Sequence, residues 1–182
     1  MPMDIGCVVL AGGRSSRMGA DKAQMRIDGR RLIDVALEHV PPDWERIVVA
    51  STDLGMPTVC EDPPFGGPVA GIAAGMRHLR TSYIAVMAVD APQSGRMLQK
   101  LADALGSNDV AVVADNERIQ PLCAVWRRES LATAIAEVGA RDVAAKRLFA
   151  SADTVVRLPG DGTEADYDTP EELAKLGVVE FP

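Results

Sequence analysis

The chain is short of most of the residues that announce a chemistry at first sight. Aromatic side chains make up only 4% of its 182 residues, so a core has to rest on Ala, Val, Leu, Ile and Met. There are three cysteines, Cys7, Cys60 and Cys123, far apart and each among apolar neighbours, with no Cys-x-x-Cys pair. That spacing argues against a disulfide framework or a zinc site, and three buried thiols suit a reducing cytoplasm. Two histidines, His39 and His78, give zinc little more to recruit. Positive charge is in deficit too. A formal net charge of −7 argues against non-specific binding of DNA or RNA, which needs a basic face, but leaves room for a small anion held by a few local cations. No apolar run approaches the roughly 20 residues of a membrane span. No basic stretch precedes a secretory apolar core, and the first apolar run stops at Gly12, so a soluble cytoplasmic protein is expected. Repeats, low-complexity tracts and linkers are missing as well, which suggests one domain over residues 1–182.

What remains is ordinary globular material, 47% hydrophobic and 25% charged. Short β-rich runs alternate with segments of helical period. Strands are predicted at Ile5–Leu10, Arg46–Ala50, Thr58–Cys60, Tyr83–Val89, Asp109–Ala114, Cys123–Trp126 and Thr154–Leu158. Helices are predicted at Leu32–His39, Val69–Leu79, Met97–Leu105 with Ser94 as its N-cap, Leu131–Val138, Val143–Phe149 and Thr169–Leu176. Gly71 and Gly75 weaken the second of these. Strands apolar on both faces, alternating with helices, indicate an α/β protein: a three-layer α/β/α sandwich around a mostly parallel, Rossmann-like sheet. Ligands of such sheets collect beyond the carboxyl ends of the strands. The segments Leu10–Lys22, Glu61-Asp62, Asp90 and Asp115-Asn116 all follow predicted strands, so one crevice could hold them all.

The segment Leu10-Ala-Gly-Gly-Arg-Ser-Ser-Arg-Met-Gly-Ala-Asp-Lys22 concentrates Arg14, Arg17 and Lys22 in an otherwise acidic chain, directly after a buried strand. Gly12 and Gly13 allow backbone N–H groups to approach an anion closely, although a plain strand-to-helix turn would use the same glycines. Two familiar phosphate loops are excluded. No register supplies Gly-x-x-x-x-Gly-Lys-Ser/Thr, and the adjacent glycines do not spell Gly-x-Gly-x-x-Gly. Asp90 ends an apolar run before Pro92. It reads either as a strand-end residue capping the next helix or as one of the few carboxylates that Mg²⁺ prefers beside phosphate oxygens. Asp168 precedes Thr169-Pro170-Glu171-Glu172, a helix start at which either Asp168 or Thr169 could be the cap.

The pattern Leu10-Ala-Gly-Gly-x-Ser-x-Arg-Met-Gly-x-Asp-Lys22 resembles the signature loop of the MobA-like nucleotidyltransferases that attach GMP or CMP to molybdopterin, and most of all the molybdenum cofactor guanylyltransferases. Four further segments agree in order: Glu61-Asp62 with Gly67-Pro-Val-Ala-Gly-Ile72, Val89-Asp90-Ala-Pro92, Gln120-Pro-Leu122, and Asp166-Tyr-Asp-Thr-Pro-Glu-Glu-Leu173. The resemblance implies the nucleotidyltransferase form of the sheet, with GTP and molybdopterin as substrates and Mg²⁺ as cofactor. It implies nucleotide contacts at Leu10, Ala11, Gly12, Gly13, Lys22, Asp62 and Asp90, catalytic roles for Arg17, Lys22 and Asp90, and metal binding at Asp90 with help from Asp168. Other molybdenum cofactor assembly proteins or recipient enzymes are implied partners. The chain departs from the family at Ala50 and Asp168, where relatives carry Asn. Rival readings are a CTP-dependent cytidylyltransferase, a sugar-1-phosphate nucleotidyltransferase, for which 182 residues leave little room, and a catalytically silent assembly module. Gln120, Arg141 and Arg147 are candidate donors to a pterin phosphate, though either arginine could equally sit on a solvated face.

Overall fold

Six apolar residues, Ile5–Leu10, form strand β1, seen in a computed structural model that describes residues 2–13, 21–116 and 118–182. A 3-10 turn, Lys22–Gln24, follows, then a small hairpin of β2 (Arg26–Ile27) and β3 (Arg30–Arg31), and α1 (Leu32–Glu38). Strands β4 (Glu45–Val49) and β5 (Thr58–Val59) lead to α2 (Pro68–His78), β6 (Tyr83–Ala88) and α3 (Gly95–Leu105). The hairpin β7 (Val110–Asp115) and β8 (Arg118–Arg127) precedes α4 (Arg128–Val138), a second 3-10 segment (Ala145–Ser151) and β9 (Val155–Leu158). The short α5 (Pro170–Leu173) and β10 (Val179–Glu180) complete the order.

Seven strands make the main sheet in the order β5-β4-β1-β6-β8-β7-β9, parallel throughout except for β8, which runs antiparallel to both β6 and β7. Because strand side chains alternate between faces, the sheet feeds two cores. Cys7, Val9, Ala85, Met87 and Val125 pack on one side with Leu32 and Ile33 of α1 and Leu98 and Leu101 of α3. Val8, Val49, Ile84, Val86 and Trp126 pack on the other with Val69 and Ile72 of α2 and Leu131 of α4. This is the expected three-layer α/β/α sandwich with a mostly parallel sheet. In α3, Met97, Leu98, Leu101, Ala102 and Leu105 lie on one buried stripe, and each buried Leu contributes about 1.5–3 kcal/mol relative to exposure. The glycines that count against α2 as a helix turn out to place it. A Cβ at Gly75 would stand 2.7 Å from Val8 Cγ1, and one at Gly71 would stand 3.0 Å from Leu10 Cδ2, so the pair lets α2 lie close on β1.

Several elements differ from expectation. β8 is ten residues long rather than Cys123–Trp126, because it is paired on both sides and its register against β7 shifts between Val112 and Ala114. Residues 145–151 form a 3-10 segment rather than an α-helix, and their buried positions Ala145 and Leu148 fall at the three-residue spacing that this tighter helix aligns. Ser94 does not cap α3 with its side chain; its hydroxyl donates to the Ala91 carbonyl at 2.7 Å. Cys60 is exposed, not buried. A separate three-stranded sheet, β10-β2-β3, lay outside the sequence reading, since two-residue strands have no period to detect. The one available signal was Asp28-Gly29, both at positive φ (50° and 80°), which is hairpin-turn chemistry. Among the described residues, no helix is long and apolar enough to cross a membrane.

Candidate functional site

The chain runs from β1 outward through β4 to β5, then crosses back over the other face to β6 on the opposite side of β1. Strand order therefore reverses between β1 and β6, and a crevice opens at their carboxyl ends. The glycine segment leaves β1 there, with Ala11 N donating to Val49 O at 2.9 Å and Val89 N to Leu10 O at 2.9 Å. Gly13 takes φ 134°, a conformation that side chains rarely adopt. Arg14 and Arg17 lie outside the described residues.

Lys22 is the one charged side chain in the buried class among the described residues, 6% exposed. Asp21 sets its turn, accepting from Ala23 N at 3.1 Å, from Gln24 Nε2 at 3.1 Å and from the Thr52 hydroxyl at 2.9 Å. The ammonium donates to the Tyr167 carbonyl at 2.8 Å, and stands 3.2 Å from Asp90 Oδ1 and 3.3 Å from Asp168 Oδ1. A desolvated cation needs such compensation, and these contacts supply it.

Both carboxylates prove free of capping duty. Thr169 caps α5, its hydroxyl accepting from Glu172 N at 3.1 Å, while the Glu172 carboxylate reaches back to Asp168 N at 2.6 Å. Asp168 therefore presents its side chain to Lys22. Asp90 sits before the turn into α3, and its carbonyl accepts from Tyr167 N at 2.8 Å, tying the two carboxylate-bearing segments together. Asp166, beside them, has its carboxyl raised above the ordinary value by partial burial, then by the charge and hydrogen bond of Asp168 and the charge of Asp90.

Two cavities meet at Asp90. One of about 270 Å³ is bordered by Leu10, Gly12, Gly13, Ser51, Glu61, Phe65, Gly67, Gly71 and Asp90, among others. The other, about 220 Å³, is bordered by Asp90, Gln120, Pro121, Leu122, Glu164 and Asp166, with Ala88, Ala91 and Cys123. Ala88, Asp90 and Leu122 belong to both. Of the residues singled out from sequence, Leu10, Gly12, Gly13, Lys22, Asp90 and Asp168 thus come together. Ala11 is buried behind the loop, and Asp62 is exposed and does not border either cavity, whereas its neighbour Glu61 does. Ala50 is buried, and Ser51 takes the place at the cavity wall. Gln120 lies in the second cavity, Arg141 donates to Pro63 O at 2.6 Å, and Arg147 is exposed. Sequence alone gave no site role to Asp21, Asp166, Ser51 or Phe65, and it named Glu61 only within the strand-end pair Glu61-Asp62 expected to line the crevice. For Asp21 the signal was its place in the loop motif, and for Glu61 its place beside Asp62.

The description "MobA-like NTP transferase domain" matches residues 7–155. A molybdenum cofactor guanylyltransferase from Shewanella sp. strain MR-4 is 33% identical over 97% of this chain and 96% of its own length. One from Vibrio parahaemolyticus is 28% identical over 98% of both chains. The crystal structure of molybdopterin-guanine dinucleotide biosynthesis protein A from Archaeoglobus fulgidus shares the fold, with a TM-score of 0.71 and 22% identity over 94% of this chain and 96% of that one.

Proposed function

The chain belongs to the MobA-like NTP transferase family, and from that premise we propose that it transfers GMP from GTP to the terminal phosphate of molybdopterin, releasing pyrophosphate. One observation carries the reading: Asp90 borders two adjoining cavities, with the Lys22 ammonium 3.2 Å from its carboxylate. A transfer between two phosphate-bearing substrates needs such a junction, with the nucleotide on the glycine-loop side and the acceptor on the side of Gln120.

Mg²⁺ fits the donor set. Asp90 and Asp168 would hold the ion through hard carboxylate oxygens, each of which also pairs with the Lys22 ammonium, at 3.2 and 3.3 Å. Mg²⁺ needs only one or two carboxylates from a protein and takes the rest of its oxygens from substrate phosphates and water. Bound by these carboxylates, the ion would supply neutralisation of phosphate charge. The remaining work falls to the chain itself. Lys22 and Arg17 hold the triphosphate and stabilise charge on the departing pyrophosphate. The amides of Gly12 and Gly13 add fixed donors, and Leu10 and Ala11 shape the floor beneath them. Asp62, exposed on the segment between β5 and α2, serves the nucleoside from outside the cavity. Gln120 offers a donor to the acceptor phosphate. That phosphate is a dianion and already a nucleophile, so catalysis rests on placement and charge rather than on a general base.

The test is pyrophosphate release by the purified protein with Mg²⁺, molybdopterin and either GTP or CTP. Release with GTP is expected. Release with CTP alone would make the chain a cytidylyltransferase, and nucleotide binding without release would make it a silent assembly module.

A further inference from the structure

We propose that Glu164 chooses the acceptor, its carboxylate taking the paired N–H donors of a 2-amino-4-oxo pterin ring. The inference rests on the guanylyl reading and adds the residue that recognises the far end of the acceptor. Glu164 lies between β9 and α5, half-buried, and borders the second cavity with Asp90, Gln120 and Leu122. Its own loop aims it. Gly162 N donates to Glu164 Oε2 at 2.9 Å, and a Cβ on Gly160 would collide with Glu164 Oε1, so the carboxylate fills room that only glycine leaves there. The loop is moored in turn by Asp161, which accepts from the Thr163 amide at 3.0 Å and from the Thr163 hydroxyl. The same Asp161 pairs with Lys100 of α3 at 3.2 Å. On the neighbouring wall the Cys123 thiol is pushed up to about 12, by burial first and then by the charge of Glu164.

An ionised carboxylate accepts at both oxygens and donates nothing. A pterin presents N3–H and its 2-amino group side by side, two donors at the spacing of the two carboxylate oxygens, and such charge-assisted bidentate pairs are the strong ones. Lumazine is the same bicycle with an oxo group in place of the 2-amino group. It would set a lone pair against a lone pair, and a site built for a donor rejects an analogue that lacks it. Charge also fixes the direction of entry. The acceptor phosphate is repelled by Glu164 and attracted by the Lys22 ammonium beside Asp90, so the pterin end falls to Glu164 and the phosphate end to the lysine.

Pterin and lumazine are both fluorescent, so their binding is read directly by titration and again as competition with molybdopterin during guanylyl transfer. The wild type is expected to bind pterin about tenfold or more tightly than lumazine, the worth of a hydrogen bond to a charged group. Glu164→Gln, whose amide can pair with either ring, abolishes that preference. It also raises KM for molybdopterin by about ten- to a hundredfold and leaves KM for GTP unchanged. Gly160→Ala, at a backbone angle that alanine accepts, displaces the carboxylate and shifts the same two readouts in the same direction, with the thermal midpoint retained. A merely structural Glu164 would lower the midpoint and leave the pterin preference alone. A wild type that releases no pyrophosphate from GTP and molybdopterin overturns the guanylyl reading and this inference with it. An active wild type whose Glu164→Gln variant keeps its KM for molybdopterin, or keeps a preference for pterin over lumazine, overturns this inference alone.

Discussion

Lys22 is held by groups that an incoming nucleotide must share or displace: the carboxylates of Asp90 and Asp168 and the carbonyl of Tyr167. Replacing Lys22 or Asp90 by Ala is expected to cost about 10²–10³ in guanylyl transfer, the usual toll of losing one electrostatic partner, with the folded circular dichroism spectrum intact. Transfer near the wild-type rate in either variant would remove these residues from the mechanism. Cys60 offers a different probe. It is the exposed cysteine of the three, yet partial burial and then the hydrogen bond and charge of Glu61 push its thiol up to about 11. At neutral pH it carries about a hundredfold less thiolate than an ordinary thiol. Alkylation by iodoacetamide should be slow at pH 7 and quicken toward pH 11, with mass spectrometry placing the adduct at Cys60 and not at Cys7 or Cys123. At this scale the sequence showed which residue types cluster after strands, and so led to Asp90 and Lys22. It could not tell Glu61 from Asp62, because two adjacent carboxylates carry no mark of which one the backbone turns inward.

The packing of α2 against β1 is the clearest element-level commitment in the fold. Gly75→Ala would drive a methyl group to within 2.7 Å of Val8 Cγ1 and 2.9 Å of its Cγ2, an overpacking expected to cost about 1–3 kcal/mol in a urea titration. An unchanged midpoint would mean that α2 shifts freely on the sheet. At α5, Thr169→Ala removes the cap and should cost about 1 kcal/mol; Thr169→Ser should restore most of it. Transfer activity should fall with the cap, because the same turn aims Asp168. The long buried strands and α3 were legible in sequence, since their apolar residues recur at the period of the element they form. β8 was legible only in its second half. Gln120 and Pro121 look like loop residues by composition, and only the pairing of β8 within the sheet makes that stretch strand and sets it against the second cavity.

For the molecule as a whole, acid sensitivity can be assigned to particular carboxylates. The Ser130 hydroxyl, then the amides and hydroxyl at Asp153 and Thr154, hold Asp109 below its ordinary range, and the Thr163 hydroxyl and amide bring Asp161 down to about 2. A depressed folded-state value means stability that is present above the unfolded value of 3.8 and lost as pH falls through the folded one. Urea midpoints should therefore decline below about pH 4, and Asp109→Asn should flatten part of that decline; a midpoint level down to pH 2 would contradict the assignment. The layered architecture was readable from the alternation of strand and helix, but the second sheet was not, since its strands are two residues long and β10 joins the β2–β3 hairpin from the far end of the chain. Its bond from Val178 N to Asp28 Oδ1, at 2.8 Å, spans 150 positions, and Lys22 meets Asp168 across 146. The consequence lies in the order of synthesis. The ribosome makes Lys22 early and Asp168 only after every strand of the main sheet, so the two halves of this ion pair are made on either side of the whole scaffold. A chain cut short after β9 would keep every strand of the main sheet yet leave Lys22 only Asp90 of these two carboxylates.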